Sequence, residues 1–308
     1  MIRTFDELLN VVQKRQPDRV AIAAAGDVEA LEALKEASDS GLATGILIGD
    51  PGEIGRCADL VGLDLSDQEL VSERDPEAAA RLAVQAVRSG QANVLMKGRL
   101  QTADLLRAAL DRERGLRTGR PLSHVAVMEL KDEHRLILVT DGGVNIAPDV
   151  ARKAQIIDNA VVVAHKLGMT LPRVAVLAAV EVINPEMPAT IDAAMLAKMA
   201  DRRQIRNAIV DGPLALDVAI SREAAEHKGL TSPVGGQADI LVAPNIEAGN
   251  ILVKSLQYFA GATMAGVVVG AQVPIVVLSR ADRAESKLLS IALAKYLVEP
   301  NDGLTGRG

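Results

Sequence analysis

Apolar positions along this chain fall into two alternating rhythms. Short runs rich in β-branched residues read as buried strands, and longer stretches with apolar residues every three or four positions read as helices. In the first half, Arg19 to Ala24, Thr44 to Ile48 and Val94 to Met96 are predicted strands. Between and around them, Thr4-x-x-Glu7 resembles a capping box, Asp27 caps a helix through Ser38, Thr102 caps a helix to Leu110, and Pro51 to Val61 and Asp75 to Ser89 are predicted helices. The charged, glycine-bearing segment Asp111 to Arg120 breaks the rhythm and predicts a surface loop or a domain joint before Pro121. His124 to Glu129 and Leu136 to Thr140, joined through Lys131-Asp132-Glu133, predict a hairpin added antiparallel to the sheet.

The second half resumes the alternation. Pro148 to Leu167, Pro188 to Arg203, Leu214 to Ser221 and Ala248 to Phe259 read as helices. Val174 to Ala179, Ile209-Val210, Ile240 to Ala243, Gly266 to Val269 and Ile275 to Leu278 read as strands. The last of these stops on Ser279-Arg280, and a helix follows with Leu288, Leu289, Ala292 and Leu297 on one face and Lys287 on another. Strands alternating with helices of this length imply an α/β fold with a mainly parallel sheet. Two such halves predict domains of residues 1–121 with 281–308 and of residues 122–280, with a cleft between them where a ligand sits.

Composition narrows what such a protein can do. The chain has 308 residues and is 49% hydrophobic, yet its only aromatics are Phe5, Tyr258, Phe259 and Tyr296, so the core is aliphatic. Base stacking by aromatics, the usual device of single-strand binders, is unavailable. A net charge of -6 argues against nucleic-acid or anionic-membrane partners while leaving room for a local basic pocket. One cysteine, Cys57, forms no internal disulfide and fits a reducing compartment. The early charges of MIRTFDELLNVVQKR do not suit a signal peptide, and no apolar run reaches the roughly 20 residues of a membrane span. The expectation is a soluble, cytoplasmic protein.

Candidate chemistry gathers at strand ends. Lys97-Gly98, Asp141-Gly142-Gly143-Val144-Asn145, Asp211-Gly212-Pro213, Asn245 with Gly249-Asn250, and Ser279-Arg280 each put small residues beside a polar group after a strand. Carboxyl ends of parallel strands share one edge, which is where ligands bind in open α/β sheets. Each end has a plainer reading as turn geometry, a helix cap or a solvated charge. G-x-G-x-x-G after the first strand, the P-loop pattern and G-x-S-x-G are all missing, and the four histidines show no metal-ligand spacing. Serine, arginine, lysine, asparagine and helix N-termini remain, a set suited to phosphate and to developing negative charge.

The segment Ala243 to Glu285 resembles the C-terminal signature of the phosphate acetyltransferase and phosphate butyryltransferase family, through Pro244-Asn245, Gly249-Asn250, Lys254, Gly261-Ala262, Gly270, Pro274 and Ser279-Arg280. Asp141-x-x-Val144-Asn145 with Pro148, Pro172 to Ala175, and Asp211 to Leu214 with Asp217 resemble other family blocks. The short form and the wording SRADRAESKLLSIALA are more similar to the butyryl branch. The resemblance implies a two-domain, three-layer αβα fold of the isocitrate/isopropylmalate dehydrogenase kind. It implies a ternary-complex reaction, acyl-CoA plus phosphate giving acyl phosphate plus CoA, with the coenzyme A thioester as substrate, no permanently bound cofactor and no metal. It also implies a homo-oligomer, dimer or higher. Ser279 would hydrogen-bond the reacting sulfur or oxyanion, and Arg280 would hold the phosphoryl group. In the acetyl branch an aspartate seven residues after the serine is the proposed base toward the thiol. Here Ser286 stands there, so Glu285 and Asp282 are the candidate carboxylates. Lys97, Gly98, Asp141, Asn145, Asp211, Asn245, Gly249, Asn250 and Lys254 are the candidate substrate and CoA contacts. The alternatives are an acetyl-CoA substrate, a metal- and NAD-dependent hydroxy-acid dehydrogenase relative, and a non-catalytic CoA-binding protein.

Overall fold

The structure is a computed structural model, and it describes residues 1–131, 135–278 and 282–298. The chain divides into two compact units, one of residues 6–118 with 271 onward, the other of residues 1–5 with 119–270.

In the unit of residues 6–118, strands β1 (Asp18–Ala23), β2 (Ala43–Gly49), β3 (Glu69–Ser72), β4 (Val94–Lys97) and β11 (Ile275–Val276) form a parallel array in the order β3-β2-β1-β4-β11. After helix α1 (Phe5–Val12), helices α2 (Val28–Asp39) and α3 (Pro51–Val61) carry the chain outward from β1 to β3, and α4 (Pro76–Arg88) brings it back to β4. Right-handed crossovers in opposite directions put their helices on opposite faces. Accordingly α2 and α3 pack together, with α11 (Ala284–Leu297) against α2, while α4 packs with α5 (Thr102–Ala109). Covered on both faces, β1 and β2 read as continuous apolar runs rather than as alternation.

The caps explain the helix starts. Asp27 accepts from the Ala30 N–H at 2.9 Å, Asp50 from Gly52 N–H at 2.8 Å, and Asp75 from Ala78 N–H at 3.0 Å. Thr102 does not cap α5. It is the first helical residue, and Gln101 stands at the cap without a side-chain bond. Lys287, on another face than the apolar residues, is nevertheless buried on α11, and its Nζ lies 2.6 Å from Glu32 of α2. Lys295, 1% exposed, donates to the carbonyls of Gln16 and Leu42, both at 2.8 Å. The hydrophobic stems of these lysines fill the helix interface while their ammonium groups reach polar partners. Strand β3 escapes a reading by hydrophobicity because it is a short edge strand that buries almost nothing.

In the unit of residues 119–270, β10 (Thr263–Val269), β5 (Ser123–Glu129), β6 (Leu136–Thr140), β9 (Ile240–Val242), β7 (Arg173–Leu177) and β8 (Ile209–Leu214) lie in that order. β5 is antiparallel to both β6 and β10, and the remaining pairs are parallel. The C-terminal ends of β6, β7, β8, β9 and β10 therefore share one edge. Helices α6 (Val150–Lys166) and α7 (Pro188–Asp201) pack together, and buried Lys153 of α6 meets Asp192 of α7 at 2.6 Å. Helices α8 (Leu216–Ile220), α9 (Arg222–His227) and α10 (Ile246–Tyr258) bury Val218, Ala219, Ala225 and Val253 in an aliphatic cluster with β6, β7 and β9.

Asp211-Gly212-Pro213 does not end β8. The strand continues to Leu214 through a register shift, which an edge strand tolerates although proline has no N–H to donate. Strand Ile275–Val276 pairs with β4, so residues 271–278 belong with residues 6–118 rather than with 122–270. Among the described residues, no helix is long and apolar enough to cross a membrane.

Candidate active site

The parallel array of the first unit has its topological switch point between β1 and β4. From β1 the chain moves through α2 to β2 on one side, while β4 lies on the other. The loops leaving these strands diverge there and leave a crevice beyond their carboxyl ends. A pocket of about 330 Å³ occupies this place, lined by Asp27 and Glu29 after β1, Lys97 to Gln101 after β4, Pro76, Asp104 and Leu278. Ser279 and Arg280, the pair expected to meet the reacting groups, lie outside the described residues, and Leu278 is their immediate neighbour in sequence.

The loop after β4 is held by its backbone. Gly98 N–H donates to Ala23 O at 2.9 Å, and Arg99 N–H to Ala24 O at 2.7 Å. A Cβ on Gly98 would sit 2.3 Å from Ala24 O, so only glycine fits. Lys97 is half-buried, and its Nζ donates to Gly98 O at 2.9 Å and to Leu100 O at 3.3 Å. The Arg99 guanidinium is mostly exposed and lies 3.1 Å from Glu53. The hydrogen bond and charge of Arg56, with a smaller contribution from Arg99, hold the Glu53 carboxyl below its ordinary range. Arg99, Asp27, Gln101 and Asp104 were not legible as pocket residues, because their place depends on which strands become neighbours. Cys57 is 1% exposed, and burial pushes its thiol upward, which disfavours the thiolate a nucleophile requires.

The second unit gathers another group. Asp141, 3% exposed, follows β6 and turns its carboxylate back on its own loop. Oδ1 accepts from the N–H groups of Gly143 at 2.8 Å and Val144 at 2.9 Å. Oδ2 accepts from the backbone N–H of Asn145 at 3.1 Å and from its side-chain Nδ2 at 2.6 Å. Asn145 Nδ2 also donates to Leu122 O at 2.8 Å. Asn245 follows β9 and caps α10, accepting from Ala248 N–H at 2.9 Å. The first turn of α10 presses on the Asp141 loop: a Cβ on Gly249 would lie 2.6 Å from Asp141 O, and one on Gly142 would lie 2.9 Å from the Gly249 carbonyl carbon. Asn250 Nδ2 donates to Gly142 O at 3.2 Å. Asp141, Asn145, Asn245, Gly249 and Asn250 thus form one cluster, with Lys254 exposed one helical turn beyond Asn250.

Asp211 lies inside β8 and serves a different loop. Its carboxylate accepts from Gly212 N–H at 2.9 Å and from Ser232 Oγ, whose oxygen in turn accepts from the N–H groups of Val234 and Gly235. Near the start of α11, Asp282 is half-buried, and Glu285 is exposed in the first turn, where a negative charge complements the helix dipole. Ser286 is buried. Among the described residues, no three His, Cys, Asp or Glu side chains are grouped to hold a metal ion.

These features define a two-unit α/β protein that carries its polar residues on loops at the carboxyl edges of its sheets. Residues 73–295 match the family described as "Phosphate acetyl/butaryl transferase", a span that contains the candidate residues from Lys97 to Glu285 but not Asp27 and Glu29 of the pocket. The chain is 48% identical to the phosphate butyryltransferase of Clostridium acetobutylicum over 96% of this chain and 98% of that protein. It is 43% identical to the phosphate acetyltransferase of Thermotoga maritima over 94% of this chain and 98% of that one. A solved branched-chain phosphotransacylase from Enterococcus faecalis superposes with a TM-score of 0.79 at 37% identity, covering 92% of this chain and 100% of that one. A 4-hydroxythreonine-4-phosphate dehydrogenase from Klebsiella pneumoniae, at 16% identity and a TM-score of 0.55, shares the fold alone, over 92% of this chain and 100% of that one. The chain belongs to the phosphate acetyl/butyryl transferase family.

Proposed function

We propose that this protein is a phosphate acyltransferase that moves a short acyl group, butyryl by preference, reversibly between coenzyme A and inorganic phosphate. The observation that carries the reading is the switch-point pocket, lined by Lys97, Gly98 and Leu278, with Ser279-Arg280 next in sequence. Full-length similarity to phosphate butyryltransferases supports the same chemistry.

The roles follow from what the reaction needs. Phosphate is already an anionic nucleophile, so it needs positioning more than deprotonation. The Arg280 guanidinium, a planar fork of donors, holds it and lowers its repulsion from the phosphates of CoA. A phosphate oxygen attacks the thioester carbonyl, a C–O bond forms, the C–S bond breaks, and CoA leaves as thiolate. Ser279 donates toward the developing oxyanion or sulfur. In reverse the thiol must lose a proton, and Asp282 or Glu285 accepts it. Lys97, Gly98, Asp141, Asn145, Asp211, Asn245, Gly249, Asn250 and Lys254 belong to the substrate and CoA contacts or to the loops that present them. In this reading the protein works in the cytoplasm as a homo-oligomer, dimer or higher, with no permanently bound cofactor and no nucleic-acid or membrane partner.

Purified protein given butyryl-CoA and inorganic phosphate should release free thiol, and Arg280→Ala should not. Rates across C2 to C5 acyl-CoAs separate a butyryl from an acetyl preference. Phosphate-independent thiol release, or none with any acyl-CoA, refutes the proposal.

A further inference from the structure

The four acceptor contacts of Asp141 distinguish it from the other candidate contacts. A carboxylate that touches substrate keeps an oxygen directed outward. Both oxygens of Asp141 point inward: one is shared by the N–H groups of Gly143 and Val144, the other by the backbone and side-chain N–H groups of Asn145. The residue is 3% exposed, whereas Gly143 in the same loop is exposed. Three successive backbone N–H groups are thus turned toward a single buried charge, and the loop's other surface faces solvent. Charge-assisted bonds of this kind are about twice as strong as neutral ones.

The clamp is completed from outside. Asn145 Nδ2 ties the loop to Leu122 O beside β5, and Asn250 Nδ2 ties it to α10 through Gly142 O. Gly142 and Gly249 let the loop and the helix approach so closely that neither could carry a Cβ without a shift. We infer that Asp141 is a positioning residue, which preorganises the Gly142–Asn145 loop as a rigid contact surface for the acyl-CoA substrate and does not itself meet substrate or move a proton. The assignment to acyl-CoA rests on the proposed acyltransferase reading, in which inorganic phosphate belongs to Arg280, and on the exposed Asn250 and Lys254 beside the loop.

The test is Asp141→Asn. It keeps the size of the side chain but exchanges one acceptor oxygen for a donor that, in either amide orientation, faces two N–H groups of the loop. With wild-type protein active, steady-state kinetics well below the melting temperature should show KM for butyryl-CoA raised about tenfold, as expected when a contact surface loosens by a fraction of an ångström. KM for phosphate should stay within about twofold of wild type and the pH profile of kcat/KM should keep its shape, because no proton passes through this group. Amide hydrogen exchange at residues 143–145 should accelerate, an observable independent of activity. A folded variant with unchanged KM for butyryl-CoA overturns the inference. So does an altered pH profile, which would make Asp141 a proton carrier. If Asp141→Asn fails to fold, Asn145→Ala takes its place, since it removes the side-chain donor and the Leu122 tether while leaving the carboxylate. The same rise in KM and in exchange supports the inference, and wild-type values for both overturn it. Absence of thiol release by the wild-type protein would instead count against the acyltransferase reading, and the exchange measurement would still report on the clamp.

Discussion

Gly98→Ala puts fold and site to the test in one substitution. The added methyl would lie 2.3 Å from Ala24 O and 2.7 Å from Ala23 O, both main-chain atoms that have no rotamer to escape into. A relaxed carbon–oxygen contact is about 3.3 Å, so the loop after β4 must withdraw by about 1 Å. That movement stretches the Gly98 N–H to Ala23 O bond from 2.9 Å and the Arg99 N–H to Ala24 O bond from 2.7 Å. Loss of two such bonds costs about 2 kcal/mol, overpacking adds about 1–3 kcal/mol, and the less flexible unfolded chain returns about 0.5–1 kcal/mol. The expected destabilisation is about 2–4.5 kcal/mol, read as a lower urea midpoint at unchanged m. Because residues 98–101 line the pocket, kcat/KM for thiol release should also fall by about 100-fold. Gly55→Ala is the control. Gly55 lies within α3, nothing approaches the position of its Cβ within 4 Å, and alanine there should stabilise by about 0.5–1 kcal/mol. A Gly98→Ala protein within about 0.5 kcal/mol of wild type and fully active would refute the argument that this contact shapes the pocket.

The buried pair of α11 and α2 should respond unequally. Glu32→Ala leaves Lys287 buried without its partner and should cost about 3 kcal/mol, whereas Lys287→Met leaves a glutamate that is 42% exposed and still hydrated, at a cost below about 1 kcal/mol. Equal losses in chemical denaturation would contradict that asymmetry. Lys295 should impose an alkaline pH dependence. Burial holds its pKa below the ordinary 10.5, against the smaller opposing pull of Asp18 and with Arg15 adding to the depression. Between the folded value and 10.5 the unfolded chain binds more protons, so this group makes stability rise with pH. Subtracting urea curves of Lys295→Met from those of wild type across that range should show the rise, and a flat difference would contradict it. Asn245→Ala should remove the α10 cap at a cost of about 1 kcal/mol, read by thermal melting.

Much of the architecture could be read before any coordinates, because its causes are local. Asp27, Asp50 and Asp75 announce helix starts through their own side chains, and Pro51 to Val61 appears with the predicted bounds. Apolar runs at Val20–Ala23 and Val94–Met96 reveal strands buried on both faces. The elements that escaped, β3 and α9, bury little and so leave no hydrophobic pattern. Asp211-Gly212-Pro213 has the composition of a turn and behaves as a bulged edge strand, because edge position is a property of the sheet and not of the three residues.

The residue types that suit acyl transfer to phosphate were also present in the sequence: a serine and an arginine after the final strand, and glycines with polar neighbours after the others. What each of those groups touches was decided only in three dimensions. Asp141 and Asp211 look alike in sequence, each an aspartate before a glycine at a strand end. The fold turns the first on the N–H groups of its own loop and sends the second to Ser232. Lys287 falls off the apolar face by helical period, yet α2 brings Glu32 against it and it is buried. Local chemistry is written in neighbouring residues, but hydrogen-bond partners and burial depend on segments distant in the chain. Only the folded chain brings Ala24 against Gly98, or Gly249 against Gly142.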